Sequence, residues 1–278
     1  MGENETRLYD LSMLTIEDEL KEYAQRFYLS TKGPERPRID TSIKNIINNL
    51  HDEFGDRILG IEVFGSYQRK TILPRQYDPE SDIDLLIVFD HKNIGSNPST
   101  YRRHLHQFAE QYYPKFISYK SQPTVVLELN HIKYDLVPGY TQMEGFFNIT
   151  DEVYIPLSDT EWEHTDLDDF SQELEEKNRK HDFNIKRVIR LLKAWNAKVG
   201  YPVQSYKLEQ LVVEMSFSED DIETIFFEAI GDLPEDWDNG RTENKIAALK
   251  ENAQLLYEAL EDEDDDEANR YLRKILPV

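Results

Sequence analysis

Val63-Phe64-Gly65-Ser66-Tyr67 and, after a loop ending at Ser81, Asp82-Ile83-Asp84-Leu85-Leu86-Ile87-Val88-Phe89 form the most informative stretch of this 278-residue chain. A strand reading ends at Gly65, where the missing side chain lets a ligand approach the backbone. Ser66 adds a hydroxyl and an N–H, a small cradle for phosphate oxygens. Asp82 and Asp84 alternate with Ile83 and Leu85, so on a strand both carboxylates point to one face. Two carboxylates that close repel each other unless a cation lies between them, and Mg²⁺ fills that place where a nucleoside triphosphate supplies the remaining oxygens. A lone Asp-x-Asp is usually a wet strand end. Here the preceding Gly-Ser and the following apolar run give it context.

A third carboxylate would complete a two-metal site. In Ile132-Lys133-Tyr134-Asp135-Leu136-Val137, Asp135 shares a face with Lys133 and Val137, an acid in mid-strand that is costly unless paired or metal-bound. Asp135 is the expected third ligand, with Glu128 on the neighbouring strand as the competitor.

Around this stretch the pattern predicts a helix over Ile16–Leu29, a loop at Gly33–Pro37 and an amphipathic helix over Ile43–Phe54. Strands are expected at Leu59–Phe64, Ile83–Phe89, Thr124–Leu129 and Ile132–Val137, the last two joined by a tight hairpin at Asn130-His131. A helix over Tyr101–Tyr113 lies between the second and third. After about residue 155 the strand pattern disappears. Helices are expected at Asp182–Val199, Lys207–Met215, Asp220–Ala229, Thr242–Glu261 and Glu267–Ile275. The fold class is therefore α+β, with residues 1–158 holding a small mixed sheet and N-terminal helices, and residues 159–278 mainly helical.

In the Asp182–Val199 helix, Lys186, Arg190 and Lys193 recur at spacings of four and three, a basic stripe expected opposite the apolar face. Such a stripe suits the β- and γ-phosphates of a nucleotide; the alternative is ordinary surface pairing with nearby acids. In Gln204-Ser205-Tyr206-Lys207-Leu208 a new helix begins, where Ser205 or Tyr206 can bind phosphate or stack on a base.

The formal net charge of −23 argues against a grip on long nucleic acid. Residues 151–176, 219–238 and 258–267 together hold 28 of the 55 acidic residues; these are solvated faces or an acidic docking surface for a basic regulatory partner. The absence of cysteine excludes disulfides, thiolate metal sites and a cysteine nucleophile, and fits a reducing cytoplasm. The N-terminal residues do not read as a signal peptide, and the longest apolar run is far too short to span a membrane.

The pattern of Gly-Ser, then Asp-x-Asp on a strand, then a distal Asp resembles the DNA polymerase β-like nucleotidyltransferase superfamily. Within it the chain is similar to the bacterial cyclic oligonucleotide synthases of antiphage (CBASS) signalling, the CD-NTases, relatives of oligoadenylate synthase and cyclic GMP-AMP synthase. That resemblance rests on Phe64-Gly65-Ser66-Tyr67-x-Arg69-x-Thr71, Ser81-Asp82-Ile83-Asp84-Leu85 and Leu129-Asn130-x-Ile132-Lys133-Tyr134-Asp135-Leu136-Val137-Pro138. It extends through Ile189-Arg190-Leu191-Leu192-Lys193-x-Trp195-Asn196 and Ser205-Tyr206-Lys207-Leu208-Glu209, covering roughly residues 40–215. It implies a polymerase β-like core and an oligoadenylate-synthase-like helical domain closing the nucleotide cleft. It also implies two Mg²⁺ ions (or Mn²⁺) held by Asp82, Asp84 and Asp135, with Gly65 and Ser66 on the donor triphosphate. Lys193 and Ser205 would be phosphate contacts, Tyr206 a base-stacking residue and Arg190 a further nucleotide contact. The product would be a cyclic di- or trinucleotide acting on a downstream effector.

The Ser66–Asp82 loop is longer than in minimal members, so it either shapes the acceptor site or is mobile without substrate. The rivals are a nucleotidyltransferase acting on RNA, a small molecule or a protein, and a non-catalytic nucleotide-binding or toxin-neutralising module.

Overall fold

The computed structural model describes residues 15–94, 97–121, 124–141, 153–165 and 169–278. Helix α1 (Ile16–Arg26) is capped by the Thr15 hydroxyl, which accepts from the Asp18 N–H. Helix α2 runs over Glu35–Phe54, about two turns longer than the expected Ile43–Phe54. Pro34 is its N-cap and Pro37 falls in its first turn, where no backbone N–H needs a partner inside the helix. The proline-containing segment read as a loop is therefore the helix start.

Strand β1 (Ile58–Phe64) runs into a one-turn helix α3 (Gly65–Arg69), and β2 (Asp82–Phe89) follows. After α4 (His91–Ile94) and α5 (Pro98–Tyr112) come β3 (Ile117–Ser121), β4 (Thr124–Glu128), β5 (Lys133–Thr141), β6 (Val153–Pro156) and β7 (Trp162–Thr165). The sheet has the order β1-β2-β5-β4-β3, with β6 bridging β5 and β7. The β2–β5 pair is parallel and the other pairs are antiparallel, the mixed sheet expected. The hairpin at Asn130-His131 forms, closed by Leu129 N–H donating to the Ile132 carbonyl. Strand β7, four residues long, is too short to announce itself by alternation.

β2 is central, which explains its unbroken apolar run. Ile83, Leu85, Ile87 and Phe89 pack under α2 and α5 with Ile39, Ile46, Leu105 and Phe108. On the opposite face Leu86 and Val88 pack against Val137 and Val153. Asp82 and Asp84 lie on that second face, beyond the end of its apolar patch.

The remaining helices are α6 (Asp169–Lys180), α7 (Ile185–Lys198), α8 (Ser205–Glu214), α9 (Ile222–Gly231), α10 (Gly240–Glu261) and α11 (Asp265–Ile275). The expected Asp182 start is displaced to Ile185, because Asp182 and Phe183 take positive φ (48° and 62°) in the turn after α6. α7 is the axis of this body. Ile185, Val188, Ile189, Leu192 and Trp195 are buried in the helical core, each contributing about 1.5–3 kcal/mol through burial. Leu20, Ala24 and Phe27 share that core, so α1 packs with the helical half rather than with the sheet. Among the described residues no helix is long and apolar enough to cross a membrane.

The long loop between Ser66 and Asp82 does not hang free. Thr71 and Ile72 donate backbone N–H groups to the Ser66 carbonyl, and the Ser81 hydroxyl donates to the Leu73 carbonyl. Leu73 inserts into the helical core, and the Tyr201 hydroxyl donates to Asp78 at 2.6 Å. The loop straps the two halves together.

Candidate active site

Between the strap, β2 and the α7–α8 corner lies a cleft of about 200 Å³. Its wall includes Ser66, Arg69, Asp82, Asp84, Lys193, Ser205, Tyr206 and Glu209. Gly65, just before Ser66, is buried and not itself on the wall. Its φ is +70°, and a Cβ there would sit 1.9 Å from the Asp84 Oδ2. Glycine is thus required twice, by the backbone and by the carboxylate lying over it.

Asp84 is opposite Asp135 in the parallel β2–β5 register, while Asp82 is opposite Lys133. Glu128, the competitor for the third position, pairs with Lys133 on the other side of β5. Asp135 lies beside Asp84, off the cleft wall, and accepts from the Thr124 hydroxyl at 3.4 Å. Burial raises the Asp84 carboxyl to about 8, helped by Asp82 and Asp135 and opposed by Arg69 and Lys193. Burial raises Asp135 to about 6, with Asp82 adding to the shift. Asp82 is also raised, mainly by burial, with Lys133 and Lys193 pulling it down. These three acids hold more negative charge than their surroundings neutralise, as a cation site requires.

Among the described residues no three His, Cys, Asp or Glu side chains form a closed metal-ligand group. That does not count against Mg²⁺, which takes one or two carboxylates together with substrate phosphates rather than an all-protein cage. The donor set is all oxygen and carries surplus negative charge, so the residues fit the ion.

Across the cleft, Lys193 Nζ donates to Glu209 Oε1 at 3.0 Å and Arg69 Nε donates to Glu209 Oε2 at 2.8 Å. The Ser205 N–H opens α8, whose N-cap Gln204 makes no side-chain capping bond, leaving first-turn N–H groups without that partner. Tyr206 is 47% exposed and meets Phe170 edge-on at 5.1 Å, with the Arg69 guanidinium 5.3 Å from its ring centre.

Arg190 is not on the cleft wall. It is buried, donating to the Ala24 carbonyl at 3.2 Å and the Lys70 carbonyl at 3.1 Å, with its guanidinium 5.2 Å from the Tyr28 ring centre. Lys186 pairs with Glu175. The expected basic stripe is thus divided among three environments, because α7 is enclosed nearly all round. The sequence reading also passed over Glu209 and Arg69 as individual site residues. Their only local signal was membership in the longer motifs.

The Second Messenger Oligonucleotide or Dinucleotide Synthetase domain matches residues 14–178. A Bacillus cereus (strain VD146) protein described as a probable cyclic nucleotide synthase is 24% identical over 192 residues, covering 58% of this chain. The matched region spans 56% of that relative, little more than half its length. Two similar solved structures show the fold. Escherichia coli MS115-1 CdnC with ATP has a TM-score of 0.66 at 12% identity, covering 93% of this chain and 96% of that one. The Bradyrhizobium diazoefficiens CD-NTase CdnG with GTP has a TM-score of 0.67 at 10% identity, covering 94% and 98%.

Proposed function

This chain belongs to the Second Messenger Oligonucleotide or Dinucleotide Synthetase family, and from that premise we propose that it joins nucleoside triphosphates into a cyclic di- or trinucleotide. The observation that carries the proposal is a single cleft with Asp82 and Asp84 on one wall and Lys193 and Arg69 on the other.

In each step a ribose hydroxyl oxygen attacks the α-phosphorus of a triphosphate. The bond from that phosphorus to the β-bridging oxygen breaks, pyrophosphate leaves, and the hydroxyl proton passes to solvent. Lys193, Ser66 and the first turn of α8 from Ser205 hold the phosphates, supplying positive charge where the leaving group develops negative charge. Gly65 makes the turn that leaves room for the Asp84 carboxylate and presents Ser66 to the donor triphosphate, and Tyr206 stacks on a base. Asp82, Asp84 and Asp135 would hold Mg²⁺, with Mn²⁺ as substitute, which lowers the pKa of the attacking hydroxyl and neutralises the triphosphate. A second round on the linear intermediate, followed by closure, gives the ring. We assign residues 1–158 to the nucleotidyltransferase unit and 159–278 to the helical unit that closes the cleft, with two exchanges: α1 packs with the helical body and β7 pairs with the sheet. The product is read as a second messenger of antiphage signalling in the cytoplasm, passed to a separate effector.

The test is incubation with the four labelled triphosphates and Mg²⁺, first without another acceptor and then with an added RNA, small molecule or protein. A small phosphatase-resistant product supports the reading. Labelling only of an added RNA, small molecule or protein would replace it with a transferase, and no labelling at all with a binding module.

A further inference from the structure

Glu209 has no task in the chemistry above, yet it is fully buried at the base of the cleft. Both of its oxygens are engaged. Oε2 accepts from Arg69, while Oε1 accepts from Lys193 and, at 2.8 Å, from the Thr71 hydroxyl. The donors come from α3, the strap and α7, so one carboxylate on α8 gathers both halves of the molecule. Burial alone would push its carboxyl up, but Lys193 and Arg69 outweigh burial and keep it below the usual range. A buried carboxylate is tolerated only with partners this complete.

The cleft holds strong opposite charges close together: Asp82 and Asp84 on one side, Arg69 and Lys193 on the other. Left alone, an ammonium and a guanidinium close onto the nearest carboxylates. They would then fill the places of a divalent cation and be lost to the triphosphate. We infer that Glu209 is a positioning residue that prevents this collapse, holding Lys193 and Arg69 for the phosphates and leaving Asp82 and Asp84 open to the metal. The inference rests on the nucleotidyltransferase reading of the cleft.

The experiment is Mn²⁺ binding to nucleotide-free protein, read from the electron paramagnetic resonance of free Mn²⁺, with thermal unfolding as the folding control. Glu209→Gln is expected to bind Mn²⁺ about tenfold more weakly than wild type. Glu209→Asp keeps the charge but is one methylene too short to reach both cations, so its affinity falls too, by about threefold. Adding Lys193→Met to Glu209→Gln restores part of the binding, because one of the two cations that would cover the aspartates is gone while Arg69 remains. Wild-type Mn²⁺ affinity in a folded Glu209→Gln or Glu209→Asp protein overturns the inference. If Glu209→Gln does not fold, the Asp variant and the double variant decide. A wild-type protein that binds neither Mn²⁺ nor a non-hydrolysable ATP analogue removes the proposed function itself, and the inference with it.

Discussion

Asp84 carries the largest electrostatic strain in the cleft, and its consequence for stability has a definite sign. Its carboxyl is raised to about 8, first by burial and then by Asp82 and Asp135, against about 3.9 in an unfolded chain. The unfolded state therefore releases this proton at lower pH, and the metal-free protein loses stability as pH rises from about 4 towards 8. Asp84→Asn removes that loss. In EDTA at pH 8 the variant should melt about 5 °C above wild type, the difference shrinking as pH falls to 5, as scanning fluorimetry at several pH values would show. Mg²⁺ or Mn²⁺ should raise the wild-type midpoint more than that of the variant. Gly65→Ala makes the complementary case. The added methyl would collide with the Asp84 carboxylate at a backbone angle that disfavours alanine. Triphosphate turnover should fall by about 100-fold or more, since small misplacements at a reacting centre have that effect, while far-UV circular dichroism stays close to wild type. Gly65, Ser66, Asp82 and Asp84 could be singled out from the sequence because their chemistry is local: a tight turn and a two-residue period. Glu209 could not be, because Arg69 and Thr71, which define it, lie 140 and 138 positions away.

At the scale of elements the same contrast appears along α7. Ile185, Val188, Ile189, Leu192 and Trp195 recur at helical spacing and are buried, and the same spacing puts Lys186, Arg190 and Lys193 on an opposite, polar face. In the folded protein Arg190 and Lys193 are buried, each satisfied by groups brought from other elements. A side-chain pattern records period, not the number of neighbours a helix acquires, so a nearly enclosed helix reads as amphipathic when its buried cations find partners elsewhere. Arg190 ties α1 to the end of α3 through two carbonyls, which predicts a separation of effects. Arg190→Met should lower stability by about 2–4 kcal/mol, the cost of leaving buried carbonyls unpaired. Because its side chain does not reach the cleft, KM for the triphosphate should stay within about twofold of wild type. Urea unfolding and steady-state kinetics on the same preparation check both halves. The start of α2 shows another limit: Pro34 and Pro37 look like breakers in sequence, but at a helix N-terminus they break nothing.

At the scale of the molecule, the core under α2 and α5 and the helical core are joined through the strap, whose Ile72 lies in the first and Leu73 in the second, and the strap also borders the cleft. The join is made by contacts no local pattern announces: Leu73 in the helical core, Tyr201 on Asp78 and Glu209 between both halves. The sheet half supplies Asp82, Asp84 and Arg69, and the helical half supplies Lys193, Ser205 and Glu209, so neither half alone presents a complete site. The central claim is that Asp82 and Asp84 carry nucleotidyl transfer in this cleft. The most direct measurement compares wild type with Asp82→Ala/Asp84→Ala for conversion of labelled nucleoside triphosphates into a phosphatase-resistant product in Mg²⁺, with thermal unfolding showing that both proteins are folded. The account predicts product from wild type and none from the double variant. Synthesis retained by the double variant would contradict it.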